Sequence, residues 1–402
     1  MVVPIQTIAD VDWLQRNVLV RVDFNVPVEN GRVVDNSRIR AALPTINYLA
    51  ERAAKVILLS HLGRPKAQKN LKYSLRPTAT ELSRLLGRPV VFLEDCLGGD
   101  VQAIIGKAEN GSVVMLENLR FYAEEEGNDN EFARKLASYG DAYVNDAFGT
   151  AHRAHASTVG IPSLISTKAA GFLMQKELEF LGNRTSNPDR PFTVILGGAK
   201  VSDKIGVIDA LLDKCDNMLI GGAMAYTFFV AQGREAGNSL VEADRVVDAK
   251  AALQKADKKG VKIFLPADSV IADAIDFEAR TIGTTKIISG DIPNGWKGVD
   301  IGPKTVEVYG DIIKNSKTIF WNGPMGVFEI SACSEGTFAI AGAVAQSNGI
   351  SIVGGGDSIT AINKGGFSNK IDFISTGGGA SLEFLEGKEL PGVAMLNDNH
   401  GA

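Results

Sequence analysis

The sequence is poor in cysteine and histidine: its 402 residues include three Cys and four His. Cys96, Cys215 and Cys333 are widely spaced and odd in number. That excludes a disulfide framework and leaves no spacing that reads as a zinc site. Buried packing is the expectation for each. Positive charge is not in excess either. A net charge of −5 argues against nucleic acid as the main partner, which would call for a basic surface. No apolar run approaches the roughly 20 residues of a membrane helix. The start, "MVVPIQTIADVDWLQR", has no basic segment leading into an apolar core, so no signal peptide and a cytoplasmic protein are expected. Two nucleotide signatures are also missing: there is no G-x-x-x-x-G-K-[ST] and no G-x-G-x-x-G. A P-loop enzyme and a usual dinucleotide dehydrogenase are thereby disfavoured, since the latter also needs an acid about 20 residues further on.

What is present is a globular composition, 45% apolar and 22% charged, in a chain long enough for two domains. Short apolar, β-branched runs alternate with helix-length amphipathic segments. The first half contains runs at 18–26, 55–63, 89–95, 111–119 and 141–149. The second contains runs at 192–199, 217–223, 262–268, 318–326, 350–356 and 373–379. Continuous apolar strands separated by helices imply parallel sheets covered on both faces. The fold class is therefore α/β, with two doubly wound, Rossmann-like domains of similar size. "AAGFLMQKELEFLGNR" (169–184) reads as a connecting helix. "TSNPDRP" after it places a boundary near residue 187.

The halves differ in chemistry. Up to residue 186 there are 14 Arg and 13 Gly; beyond it there are 4 Arg and 30 Gly. Ligands of open α/β sheets sit outside the carboxyl ends of strands. There the first half offers Asp23 and Asn25 in "RVDFNVP", His61 and Arg64 in "SHLGRP", Arg120 in "ENLRF" and Arg153 in "GTAHRAH", with Arg38 opening a helix. Any one Arg alone is more often a surface or ion-pair residue. Cations at five positions in separate segments describe a pocket for a small, multiply charged anion. In the second half "LGGAKVSDKIG" runs strand, Gly pair, helix. Ser202 is a plausible N-cap, and Lys200 and Lys204 flank the helix start. "VGGGDSITAINK" and "STGGGASLEFLEG" repeat the design, with glycines that let backbone N–H groups approach a phosphate. Asp357 is the kind of carboxylate that holds Mg²⁺ beside phosphates. An anion pocket on one domain and a phosphate site on the other suit phosphoryl transfer with domain closure. A hinged solute-binding protein is the non-enzymatic alternative. It would normally carry a secretion signal and a single ligand.

Taken together and in order, "VRVDFNVP", "SHLGRP", "ENLRF", "DAFGTAHRAHAS", "GGAKVSDKI", "NGPMGVFE", "GGGDS" and "STGGGASLE" resemble the phosphoglycerate kinases. The resemblance implies reversible transfer between 1,3-bisphosphoglycerate and MgADP, giving 3-phosphoglycerate and MgATP in glycolysis. It implies a monomer with four parts: a phosphoglycerate-binding domain at 1–170, an interdomain helix at 171–186, a nucleotide-binding domain at 187–390, and a tail at 391–402 packing back on the first domain. Asp23, Phe24, Asn25, Arg38, His61, Leu62, Gly63, Arg64, Arg120 and Arg153 would bind phosphoglycerate. Lys204, Gly298, Glu329, Gly355, Gly356, Asp357 and Ser358 would bind the nucleotide, with Asp357 on the metal. Arg38, Lys200, Gly354 and Gly377 would serve the moving phosphoryl group. His152 and His155 would shape the pocket through hydrogen bonds and a partial positive charge. Neither is needed as a base, because the attacking oxygen is already ionised.

Overall fold

The computed structural model describes residues 5–397. The chain forms two compact units. One runs to Leu178 and takes back the segment from Glu389 onward; the other is Glu179–Lys388.

The first unit is built on a six-stranded sheet: β1 (Asn17–Val22), β2 (Lys55–Leu59), β3 (Val90–Phe92), β4 (Val113–Met115), β5 (Ala142–Asp146) and β6 (Thr167–Ala170). Its order is β3-β4-β2-β1-β5-β6, and every pairing is parallel. The run "NVLVRV" shows why β1 is central. Val18, Val20 and Val22 enter one core with Ile39, Ile46 and Leu49 of the helix Ser37–Glu51, while Leu19 is buried on the opposite face. Burying each such side chain is worth about 1.5–3 kcal/mol. The strand order reverses between β1 and β5, so the crevice of this sheet lies beyond Val22 and Asp146.

Strand β6 is absent from the sequence reading, and it takes Ala169 and Ala170 from the expected connecting helix. They pair with Val144 and Asn145 of β5. Gly171 then turns the chain where a Cβ would lie 2.2 Å from Asp146 Oδ1. Helix follows at Phe172–Glu177, widens to a π turn at Leu178–Asn183 and closes at Arg184–Ser186. Of the tail, Pro391–Asn397 is helical and belongs to the first unit. Gly392 donates its N–H to Ala151 O at 2.8 Å, and Asn145 Nδ2 donates to Gly392 O at 3.1 Å. Residues 398–402 lie outside the described residues.

The second unit repeats the plan with β7 (Phe192–Leu196), β8 (Asn217–Ile220), β9 (Lys262–Phe264), β13 (Thr318–Asn322), β14 (Ile350–Gly354) and β15 (Phe373–Ile374), in the order β9-β8-β7-β13-β14-β15. It adds an antiparallel sheet of β10 (Asp268–Ala272), β11 (Thr285–Ser289) and β12 (Lys297–Ile301), with β10 in the middle. Among the described residues this sheet has no counterpart in the first unit. The core joins Ile195, Leu219, Ile319, Trp321 and Val353 to Ile340 and Val344 of the helix Glu335–Gln346. The order reverses between β7 and β13. All three cysteines are buried thiols, and among the described residues no helix is long and apolar enough to cross a membrane.

Candidate active site

In the first unit the carboxyl ends of β1, β2 and β4 and the start of one helix bring the expected residues together. Arg38 donates from Nη1 to Asp23 Oδ2 at 2.7 Å and lies 3.4 Å from Asn25 O. Asn25 Oδ1 accepts the Gly63 N–H at 2.9 Å, and Gly63 O accepts from Arg120 Nη1 at 2.9 Å. Asn118, two residues before Arg120, holds Leu62 O through Nδ2 at 2.8 Å. Phe24 is buried, and its N–H bonds to Ser60 Oγ at 3.0 Å. One network thus fixes three strand ends. Arg120 is almost wholly buried, and its Nη2 has no hydrogen-bond partner among the described residues. A buried guanidinium N–H costs free energy until an acceptor meets it, which is what an anion supplies. Burial brings the Arg120 pKa down to about 10, so the group stays cationic at neutral pH. Arg64 is exposed beside this network.

His61 is buried. Burial first, and then Arg21, Arg120, Arg153 and Arg38, hold its pKa well below the usual imidazole range. Arg153 donates from Nε to His152 Nε2 at 3.2 Å. His155 corrects the expectation of partial positive charge. Burial, Arg120 and Arg21 push its pKa down to about 4, so it is neutral at pH 7. Glu125 Oε1 lies 3.8 Å from His155 Nδ1. Arg21, a fully buried residue inside β1, escaped the sequence reading. Its signal was a lone cation in a strand otherwise apolar on both faces.

In the second unit a cavity of about 590 Å³ opens at the switch between β7 and β13. Gly198, Gly222, Pro324 and Met325 form its floor, Tyr226 and Gly298 one wall, and Glu329 and Asp357 contribute carboxylates. The lining is predominantly apolar with a few polar groups, the character of a small-molecule site. Gly298 is on β12, and a Cβ there would lie 2.0 Å from Tyr226 Oη, so the strand and the ring touch only because no side chain intervenes. The antiparallel sheet is therefore what places this wall.

Beside the cavity the helix Gly356–Lys364 begins at Gly355, whose φ of +87° a side chain would strain. Gly356 and Asp357 are exposed at that start. Ser358 is buried, and its Oγ accepts the Gly323 N–H at 2.6 Å, so its hydroxyl braces the loop after β13. Gly354 ends β14, and Gly377 is buried with its N–H 3.3 Å from Ser375 Oγ. The exposed glycines of the two turns are Gly356, itself expected at the nucleotide, and Gly379; they lie two residues beyond Gly354 and Gly377.

Lys204 is buried. Its Nζ donates to Gly197 O at 2.6 Å and Asn322 O at 2.8 Å, tying the ends of β7 and β13 together at the switch. Burial lowers its pKa to about 8 against the pull of Asp357 and Asp203. Lys200 is exposed. Ser202 does not cap the helix Ile205–Leu212. Its Oγ donates to Glu242 Oε1 at 2.6 Å, and Lys204 occupies the N-cap. The acid that captures Ser202 is 40 residues away, beyond the reach of a local capping rule.

Among the described residues no three His, Cys, Asp or Glu side chains converge as a metal-binding group. Asp357, an exposed hard-oxygen donor on the cavity wall, fits an Mg²⁺ that takes most of its other ligands from phosphates and water.

The chain as a whole is similar to known proteins. The family model of phosphoglycerate kinase matches residues 8–388. The phosphoglycerate kinase of Coxiella burnetii superposes with a TM-score of 0.87 at 38% identity, covering 98% of this chain and 99% of that one. That of Pyrococcus horikoshii superposes with a TM-score of 0.84 at 35% identity, over 98% and 99% of the two chains. The family match over residues 8–388 and the two superpositions over nearly the whole chain lead to one conclusion: this chain belongs to the phosphoglycerate kinase family.

Proposed function

We propose that the network of Asp23, Asn25, Arg38, His61, Gly63 and Arg120 binds 3-phosphoglycerate or 1,3-bisphosphoglycerate, with Arg64 and Arg153 completing the anion pocket, and that the cavity beside Gly298 binds ATP or ADP. The family's activity is phosphoryl transfer to and from a carboxyl group. The observation that carries the residue assignment is the buried Arg120, with one guanidinium nitrogen bound to Gly63 O and another unpaired. Glu126 Oε1 lies 3.3 Å from Arg120 Nε, and an anion is the ligand that would satisfy the remaining Nη2 donors.

The chemistry needs no general base, because the attacking oxygen is a carboxylate or a phosphate oxygen, ionised at neutral pH. Positioning and charge stabilisation remain. Asp23 holds the Arg38 fork, so that guanidinium meets the reacting end with its orientation set in advance. Gly356, Gly379 and Lys200 meet the nucleotide phosphates, and Lys204 keeps the strand ends in place beneath them. Asp357 would hold Mg²⁺, which would supply positive charge to offset that of the phosphates. Hinge closure would bring the carboxylate and that phosphate in line, with the enzyme a monomer working in the cytoplasm.

The test is direct. Protein mixed with 3-phosphoglycerate and MgATP should release ADP, and omission of either substrate should abolish the release. Binding of both ligands without turnover would favour a hinged binding protein instead.

A further inference from the structure

Behind His61 runs a chain of buried groups that the reaction as described does not use. Glu125, Ser157 and Arg21 are each fully buried. Ser157 donates from Oγ to Glu125 Oε1 at 2.5 Å and from its backbone N–H to Oε2 at 3.0 Å. Arg21 donates from Nε to Ser157 Oγ at 2.8 Å and from Nη1 to Val22 O, and its Nη2 lies 3.1 Å from His61 Nδ1.

The direction of every bond follows from what the groups can do. A guanidinium has only donors. Ser157 Oγ therefore accepts from Arg21, and its single proton goes to Glu125. Both Glu125 oxygens then act as acceptors, the pattern of an ionised carboxylate. Burial pushes the Glu125 pKa up, while Arg21 and the two Ser157 bonds pull it back. At the far end His61 Nδ1 faces a donor and must be the bare nitrogen, so the ring proton is on Nε2. A second proton on Nδ1 would meet Arg21 head-on, and the other charged groups acting on the ring, Arg120, Arg153 and Arg38, are all cations.

We propose that Glu125 and Ser157 are positioning residues that act through Arg21 to fix His61 as a neutral imidazole donating from Nε2 to the bound phosphoglycerate. The Glu125 carboxylate neutralises a guanidinium that would otherwise be buried alone, and Ser157 sets the rotation of that guanidinium. The proposal rests on the phosphoglycerate pocket described above. It goes beyond it by naming two side chains that never touch substrate and the one tautomer they enforce.

Nitrogen–proton correlation spectra of the full-length protein with ¹⁵N-labelled histidine read the tautomer without reference to activity. In the parent protein His61 should show a protonated Nε2 and a bare Nδ1 from about pH 8 down to about pH 6, where a free imidazole is already mostly charged. In Glu125→Gln the amide cannot accept at both ends, so Arg21 loses its fixed orientation. His61 should then show mixed tautomers. KM for 3-phosphoglycerate should rise on the order of tenfold, the scale for losing an outer partner of a ligating group, with KM for MgATP unchanged. Ser157→Ala cuts the link while leaving Glu125 in place and should do the same, which covers the case in which Glu125→Gln does not fold. A parent His61 protonated on Nδ1 would overturn the proposal. So would an unaltered His61 spectrum and KM in Ser157→Ala. Failure of the parent protein to turn over 3-phosphoglycerate would instead refute the assigned reaction, and the spectra would still decide the tautomer.

Discussion

Replacing Gly298 with Ala adds one methyl group at the wall of the second-unit cavity, and the surroundings define what it must do. The new Cβ would lie 2.0 Å from Tyr226 Oη and 2.1 Å from Cζ, whereas ordinary contact begins at 3.4 Å. The ring must retreat by about 1.4 Å, or β12 must move by as much. Phe229 stacks edge-on against Tyr226 at 5.5 Å between centroids and closes one direction. β12 is tied to β10, and Gly298 N–H is bonded to Ser239 Oγ at 2.9 Å. The open direction is into the cavity. Overpacking of this kind costs about 1–3 kcal/mol. If it fell wholly on nucleotide binding, KM for MgATP would rise from about fivefold to over a hundredfold. Any share falling on folding would lower Tm by about 2–4 °C per kcal/mol for a unit of this size. Steady-state kinetics with each substrate varied, together with a thermal melt, separate the two. KM for 3-phosphoglycerate should not change. Combining Gly298→Ala with Tyr226→Leu removes the clash, so the pair should cost less than the sum of the single changes. A Gly298→Ala enzyme with the parent KM for MgATP and the parent Tm would refute the reasoning.

Other perturbations probe other parts of the molecule. Arg38→Ala and Lys200→Ala should each lower kcat by at least about a hundredfold, the scale for losing one preorganised donor, with the fold intact by circular dichroism. Arg64→Ala should instead raise KM for 3-phosphoglycerate more than it lowers kcat, since an exposed cation adds binding in ground and transition states alike. Asp146, buried where its Oδ1 accepts the N–H groups of Leu173 and Met174, has its pKa raised by burial from 3.8 to about 6. The native state then binds more protons than the unfolded one between those values, so this carboxyl favours folding at low pH and loses about 3 kcal/mol of that support as pH rises through 6. Asp146→Asn, which keeps the Oδ1 acceptor, should therefore gain stability relative to the parent as pH increases from about 4 to about 7, read by denaturant midpoints at each pH. A constant difference across that range would contradict the assignment.

Much of this molecule is legible in its sequence because parallel strands buried on both faces leave unbroken apolar runs. "NVLVRV", "FTVIL" and "TIFWN" are strands for that reason. The polar residues ending such runs in the first half fall into one network because β1, β2 and β4 end on the same side of one sheet. Legibility fails where long-range partners decide. Thr167–Ala170 is a strand because β5 offers it an edge, although "TKAA" has little strand character of its own. The antiparallel sheet that carries Gly298 is built from weakly apolar, turn-rich segments. Glu125 sits in "AEEEGN", which reads as a solvated acidic run, and only the fold turns that one of three glutamates inward toward Ser157. Lys204 matches a phosphate-binding pattern, and the sequence gives no sign that its ammonium group also bonds two strand-end carbonyls.

A crystal structure with 3-phosphoglycerate and MgADP bound tests the central claim most directly. The account predicts 3-phosphoglycerate within hydrogen-bond distance of Arg38, His61 Nε2 and Arg120 Nη2. It also predicts the nucleotide base against Gly298 in the second-unit cavity and an Asp357 oxygen coordinated to the metal. Phosphoglycerate bound away from Arg38 and Arg120, or a nucleotide seated outside that cavity, would contradict it.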